Sequence, residues 1–155
     1  MSERWLGIVV SSDKIIIVDA EIEGPGDPMV IQMDGTWSLQ AGDRPSAYRV
    51  LHQRVADYAR QNKIACAAVK AIAVSLRGTK KVHLEAAELR GVVLAALAST
   101  TKVISDTKAN ISRNFGDRNV DEYLKDNDFW SKQIKAGNLR NGSREAAMVI
   151  LAARP

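Results

Sequence analysis

Residues 64–116 read IACAAVKAIAVS (64–75), LRGTKK (76–81), VHLEAAELRGVVLAALAST (82–100) and TKVISDTKANISRNFG (101–116), and this stretch decides the fold. The first piece is an apolar run of small residues, of strand length, suited to a strand covered on both faces. The third is the clearest helix of the chain. Leu84, Ala87, Val92, Leu94 and Leu97 recur at helical spacing, with Glu85, Glu88 and Arg90 on the remaining face. A brief β-branched run, Lys102 to Ser105, follows, and Asp106 or Thr107 is placed to cap another helix. Strand, helix, strand, helix implies two parallel strands joined by a right-handed crossover, so the core is α/β.

The rest of the chain extends that core on both sides. Trp5–Ser11 and Lys14–Ala20 are β-branched runs separated by Ser12-Asp13 and read as an antiparallel hairpin. Ile15, Ile16, Ile17 and Val18 are apolar in succession, which expects cover on both faces of that hairpin. A breaker-rich loop, residues 23–28, leads to a third strand from Met29 to Met33, and Asp34-Gly35 reads as the next turn. Asp43 and Pro45 open a helix running to about Asn62, with Tyr48, Leu51, Val55 and Tyr58 as its buried stripe. His52, beside that stripe, reads as structural or solvated. Residues 120–135 have helical spacing, with Asp126-Asn127-Asp128 able to break the helix in two. Ser143, or Asn141, caps a last helix carrying Ala146, Ala147, Val149, Ile150 and Leu151 inward.

At 155 residues, 46% hydrophobic and 26% charged, the chain reads as one globular domain over 1–155. No run is long and apolar enough for a bilayer span, and residues 1–5 carry no signal-peptide pattern, so no membrane partner is expected. The single cysteine, Cys66, fits a reducing cytoplasm and lies in the buried-strand candidate, where it reads as a core thiol. Charge is uneven. Residues 1–44 hold three basic and eight acidic side chains, and residues 45–155 hold nineteen basic and ten acidic ones. That asymmetry is compatible with a basic face for nucleic acid, and equally with an ordinary solvated surface.

The order of elements and several phrases resemble the ribonuclease H-like superfamily, in its Holliday-junction-resolvase branch. Leu6-Gly7-Ile8 before a hairpin is similar to that family's opening strand. Residues 83–91, HLEAAELRG, resemble the helix after its fourth strand, residues 102–116 its fifth strand and following helix, and Ser143 to Ala153 its closing helix. The resemblance implies a mixed five-stranded sheet, three antiparallel strands and then parallel ones, flanked by helices. It also implies two magnesium ions held by acids from the first strand, the fourth strand and the last helix, for phosphodiester hydrolysis. Those positions fall on Val9, on about Ala71, and on Glu145, so only one of three is an acid. A shifted site would use Asp106 and Glu145 as catalytic and metal-binding residues, with magnesium as the cofactor. The plainer reading makes them a helix cap and a first-turn acid, with no cofactor expected.

A degraded metal site leaves binding. Arg77, Lys80 and Lys81 crowd one loop, Lys108 and Arg113 (with Arg118 beyond) follow the fifth strand, and Arg140 and Arg144 flank the last helix. In this architecture such loops can meet on one edge of the sheet and contact phosphates of DNA or RNA. Phe115 is the one aromatic there, which disfavours base-stacking readout, and Arg77-Gly78-Thr79-Lys80 is too short for a nucleotide loop. A protein partner or a homo-oligomer would instead need exposed apolar surface, for which Trp5, Trp37, Phe129 and Trp130 are the candidates.

Overall fold

Two consecutive β-branched runs pair along their whole length as β1 (Glu3–Val10) and β2 (Lys14–Ile22), with Glu3 opposite Ile22 and Val10 opposite Ile15. The computed structural model describes residues 1–72 and 80–154. β3 (Met29–Ser38) continues the antiparallel meander, while β4 (Cys66–Lys70) and β5 (Lys102–Asp106) add in parallel on the other side of β1. The sheet order is β5-β4-β1-β2-β3-β6. α1 (Arg44–Gln61) and α2 (Lys81–Ala98) cover one face, and α3 (Lys108–Asn114), α4 (Val120–Lys125), α5 (Asn127–Gln133) and α6 (Arg144–Ala153) pack with the other.

The run 15–18 explains the two layers. Ile15 and Ile17 face α1 and α2, whereas Ile16 and Val18 face α6, as strand alternation requires. β3 departs from simple alternation. A register shift opposite Asp19 and Ala20 inserts an extra residue, so Met29 and Ile31 face α6 while Met33 and Trp37 face α1. The Asp34-Gly35 turn expected from sequence is therefore absent: both residues lie inside one continuous strand. Val120 to Lys135 divides in two, as Asp126-Asn127-Asp128 allowed. It breaks at Asp126, whose carboxylate accepts from the Phe129 amide, and ends in a sixth strand, β6 (Ile134–Ala136), paired in parallel with Met29 and Val30.

One helix stripe lies at a different phase from the expected one, and another is broader than expected. In α2, burial begins only at Leu89 and continues through Val93, Ala96 and Leu97, leaving Leu84 58% exposed. The segment is apolar on several sides, so periodicity alone left the inward face open. In α1 the small residues Ala47, Ala56 and Ala59 join Leu51 and Val55 inside, and Tyr48 and Tyr58 stand half-buried at the margins. Their hydroxyls need polar partners, which they find in Glu88 and Asp19. Asp43 caps α1 by accepting from the Ser46 amide, and Cys66 is a buried thiol whose pKa burial pushes up.

Two carboxylates are held inside the sheet. Asp19 on β2 has no exposed surface and accepts from the Arg4 guanidinium and from the Tyr58 hydroxyl at 2.7 Å. Burial and the bond to Asp19 together push Tyr58 well above the usual tyrosine range. Asp34 on β3 accepts from the Arg140 amide at 2.8 Å, the Arg140 guanidinium at 2.9 Å and the Ser143 hydroxyl at 2.5 Å. Burial opposes its charge, but those bonds outweigh it and hold the carboxyl below its ordinary 3.8. Ser143 thus stands at the N-terminus of α6 without capping it, its hydroxyl being committed to Asp34.

Gly7 sets how closely α6 approaches. A Cβ there would lie 1.9 Å from the Ala146 carbonyl oxygen and 2.8 Å from Ile150. Gly7→Ala is expected to cost about 1–3 kcal/mol or more through overpacking, read as a lowered urea midpoint with α6 amides exchanging faster. For Asp34, the depressed folded-state value means that its contribution is complete above 3.8 and is lost as the pH falls below that. Asp34→Asn should therefore lower stability at neutral pH, and the gap to the native chain should close on acidification. Equal gaps at neutral and acid pH in urea titrations would refute that assignment.

Candidate nucleic-acid interface

Parallel strands β1, β4 and β5 all point their carboxyl ends to one edge, where open α/β sheets place their ligands. Strand alternation puts Val9, two residues beyond Gly7, on the face that α6 covers, and Val9 packs in that layer. On β4 the side chain reaching the same place is Lys70, not Ala71. Its ammonium lies 2.5 Å from Glu145 Oε1 on the first turn of α6. Lys108, on the first turn of α3, is 2.8 Å from Asp121 and 4.0 Å from the other Glu145 oxygen. The hydrogen bond to Asp121 raises the Lys108 pKa against some desolvation, and it lowers that of Asp121 in turn. The result is a chain of alternating charge, Lys70–Glu145–Lys108–Asp121, across the ends of the strands.

Asp106 lies across from Lys70 in the β4–β5 register and lines a small cavity with Ala68, Ile104 and Val149. Its carboxylate accepts from the Thr107 amide, and Thr107, not Asp106, caps α3 by accepting from Asn110. Asp106 and Glu145 therefore share a face of the sheet but have different partners. Magnesium pairs need several hard oxygen donors converging on one point. Here the first position offers a hydrocarbon, the second a cation, and the third an acid already neutralised by that cation. Among the described residues no three His, Cys, Asp or Glu side chains converge for a metal. These residues do not fit the two-metal centre that the resemblance implies.

The remaining basic residues divide into two groups. Lys80 and Lys81 are exposed at the start of α2, Lys81 lying 3.9 Å from Glu85 with 89% of its side chain in solvent. Arg113 is exposed on α3 and donates to Asn110. Arg77 lies outside the described residues. By contrast, Arg140 is spent on Asp34 and Thr36, and Arg144 donates to the Leu124 carbonyl and to Asn127. Arg118 is likewise held, paired with Asp126 and stacked 4.3 Å from the Tyr123 ring centre. Phe115 is packed edge-on against Tyr123 and Phe129. Sequence reading missed Lys70, although strand parity places it on the same face as Ala68, because the resemblance directed attention one residue further on.

No family model matches this sequence, and no curated protein matches it. Solved structures do. The chain is similar to Thermus thermophilus RuvC, at 13% identity and a TM-score of 0.72, over 98% of this chain and 91% of that one. It is similar to T. thermophilus RuvC in complex with a Holliday junction substrate, at 11% identity and a TM-score of 0.67, over 97% and 90%. The yeast mitochondrial Holliday junction resolvase Ydc2 matches at 10% identity and a TM-score of 0.64, over 97% and 77%. At such identities the likeness is one of fold. The chain has the ribonuclease H-like fold in the form built by the Holliday-junction resolvases, with six strands in its sheet where five were expected.

Proposed function

We propose that this protein is a catalytically degenerate relative of the resolvases that binds nucleic acid without cleaving it. The observation that carries the reading is the Lys70–Glu145 ion pair, at 2.5 Å, at the carboxyl ends of β1 and β4. A fixed ammonium there stands in for the positive charge that a metal would supply, and it repels an incoming cation. Lys70 and Glu145 are only 29% and 24% exposed, so water screens the pair less than it would a pair at the surface. Lys80 and Lys81 at the start of α2 and Arg113 in the last turn of α3 supply exposed positive charge for phosphate contacts, which position a nucleic acid without reading its bases. The binding of a junction substrate by the structurally similar T. thermophilus RuvC supports branched DNA as the first ligand to try.

An active nuclease with a rearranged site is the competing reading, and Asp106 beside Glu145 on one face is what favours it. The two separate in one experiment. Labelled branched DNA, duplex and RNA–DNA hybrid, incubated with magnesium or manganese, should be bound and left intact. Metal-dependent cleavage that disappears in Glu145→Gln or Asp106→Asn would establish the rearranged site instead. Binding should weaken with salt, and Lys80→Glu with Lys81→Glu should lower the salt slope by about two, one per lost phosphate contact. Unchanged affinity and slope in that variant would remove these lysines from the interface.

A gain-of-site variant tests the geometry itself. Val9→Asp with Lys70→Glu places two carboxylates beside Glu145 and frees it from its cation. Manganese binding by calorimetry should appear in this variant and be absent from the native chain. Failure of the folded variant to bind manganese would show that the strand ends no longer converge on a metal position.

A further inference from the structure

On the outer edge of β3 the side chains of Asp34 and Thr36 hold Arg140, but the backbone of that edge and the cleft on the α1 side have no role in the site described above. β6 pairs with β3 only at Met29 and Val30, so among the described residues no strand adds to β3 beyond them. The Leu39 amide bonds to the Asp13 carbonyl, which fixes the ladder's phase: Met33, Gly35 and Trp37 bond inward to β2. The backbone amides and carbonyls of Asp34, Thr36 and Ser38 therefore point outward. Alternating with them, Met33 and Trp37 drop their side chains toward α1, where they line a cavity of about 770 Å³ together with Val50, Arg49 and Arg54. Val50 is 45% exposed, an apolar side chain with room beside it. Arg54 stacks 4.0 Å from the Trp37 ring centre.

The charge of this cleft is positive. Neither Arg49 nor Arg54 has a carboxylate within ion-pair distance among the described residues, and Asp57 is taken by Arg60 and Gln53. An open strand edge next to an apolar cavity is the arrangement that accepts an extended peptide as an added strand. Main-chain bonds would come from residues 34–38, and every second side chain would enter the cavity. A second copy of this chain is a poor occupant, because edge-to-edge pairing would bring Arg49 and Arg54 of both copies together.

We propose that the β3 edge and the arginine-flanked cleft are a docking groove for an extended, acidic segment of a partner protein carrying apolar anchor residues. The groove lies on the opposite side of the sheet order from β4 and β5, so it is independent of the nucleic-acid reading and leaves that surface free.

The test uses the full chain and a fluorescein-labelled peptide of about ten residues, alternating aspartate or glutamate with leucine or phenylalanine, in anisotropy titrations. Saturable binding is expected, with a version carrying lysine at the acidic positions and a version interrupted by proline each at least about tenfold weaker. On the protein, Arg49→Glu with Arg54→Glu should weaken the acidic peptide by about tenfold or more, while affinity for branched DNA is unchanged. Thr36→Pro removes an outward amide without touching the ladder and should do the same, whereas Thr36→Val, which loses only the hydroxyl that accepts from Arg140, should bind as the native chain does. Hydrogen exchange on the native chain is the companion measurement, with the amides of Asp34, Thr36 and Ser38 slowed when peptide is present. No saturable binding, equal binding of all three peptides, or protection confined to other strands would overturn the proposal. So would self-association through this edge in sedimentation, for then a second copy is the occupant.

Discussion

A missing side chain governs the arrangement of this molecule. Gly7, in the central strand of the sheet, lets the backbone of α6 close to a distance at which any Cβ would overlap the Ala146 carbonyl. That contact draws the whole apolar face of α6, from Ala146 to Leu151, into the core between β1, β2 and β4. It also brings Glu145, one residue before the contact, over the end of β4. Lys70 then meets Glu145 not because either residue is exceptional, but because the close helix seats the carboxylate over the end of β4, between Lys70 at 2.5 Å and Lys108 at 4.0 Å. The candidate site is a consequence of packing.

Three of the eight acids in residues 1–44 are spent inside or at an element end. Asp19 holds Arg4 and Tyr58, Asp34 holds Arg140 and Ser143, and Asp43 caps α1. Burying a carboxylate is costly unless it is paired and hydrogen-bonded, and both buried acids meet that requirement with donors from distant parts of the chain. The consequence for the surface is asymmetric. Arg140, Arg144 and Arg118 are absorbed by internal partners, and the candidate basic residues that remain exposed among the described ones are Lys80, Lys81 and Arg113. Lysine offers phosphate contact as a point charge without bidentate geometry, which suits binding that follows shape and charge more than base identity.

Exposed apolar surface also lies elsewhere than the aromatic residues suggested. Trp5, Trp37 and Trp130 are each buried to within 7% of full cover, and Phe129 packs against Tyr123 and Trp130. Tryptophan is large and its indole nitrogen takes a partner, as Trp130 does with the Tyr123 carbonyl, so these rings serve the core. Among the described residues the exposed large apolar side chains include no aromatic: they are Met1, Ile72, Val50 beside the β3 cleft, and Val82 and Leu84 at the start of α2.

The sequence by itself determined the layer architecture: the hairpin, both-face burial of residues 15–18, the βαβα crossover, the cap at Asp43, and the buried cysteine. Those follow from local periodicity and turn chemistry, which act over a few residues. It also put valine and alanine at positions 9 and 71, where the resemblance implies acids. Tertiary structure alone decided the rest. The bulge that turns Trp37 toward α1, the short parallel strand β6, the inward phase of α2 and the seating of Ser143 on Asp34 all depend on contacts between residues far apart in the chain. So does the meeting of Lys70 with Glu145, 75 residues apart, across a helix–sheet contact that exists because Gly7 has no side chain to prevent it.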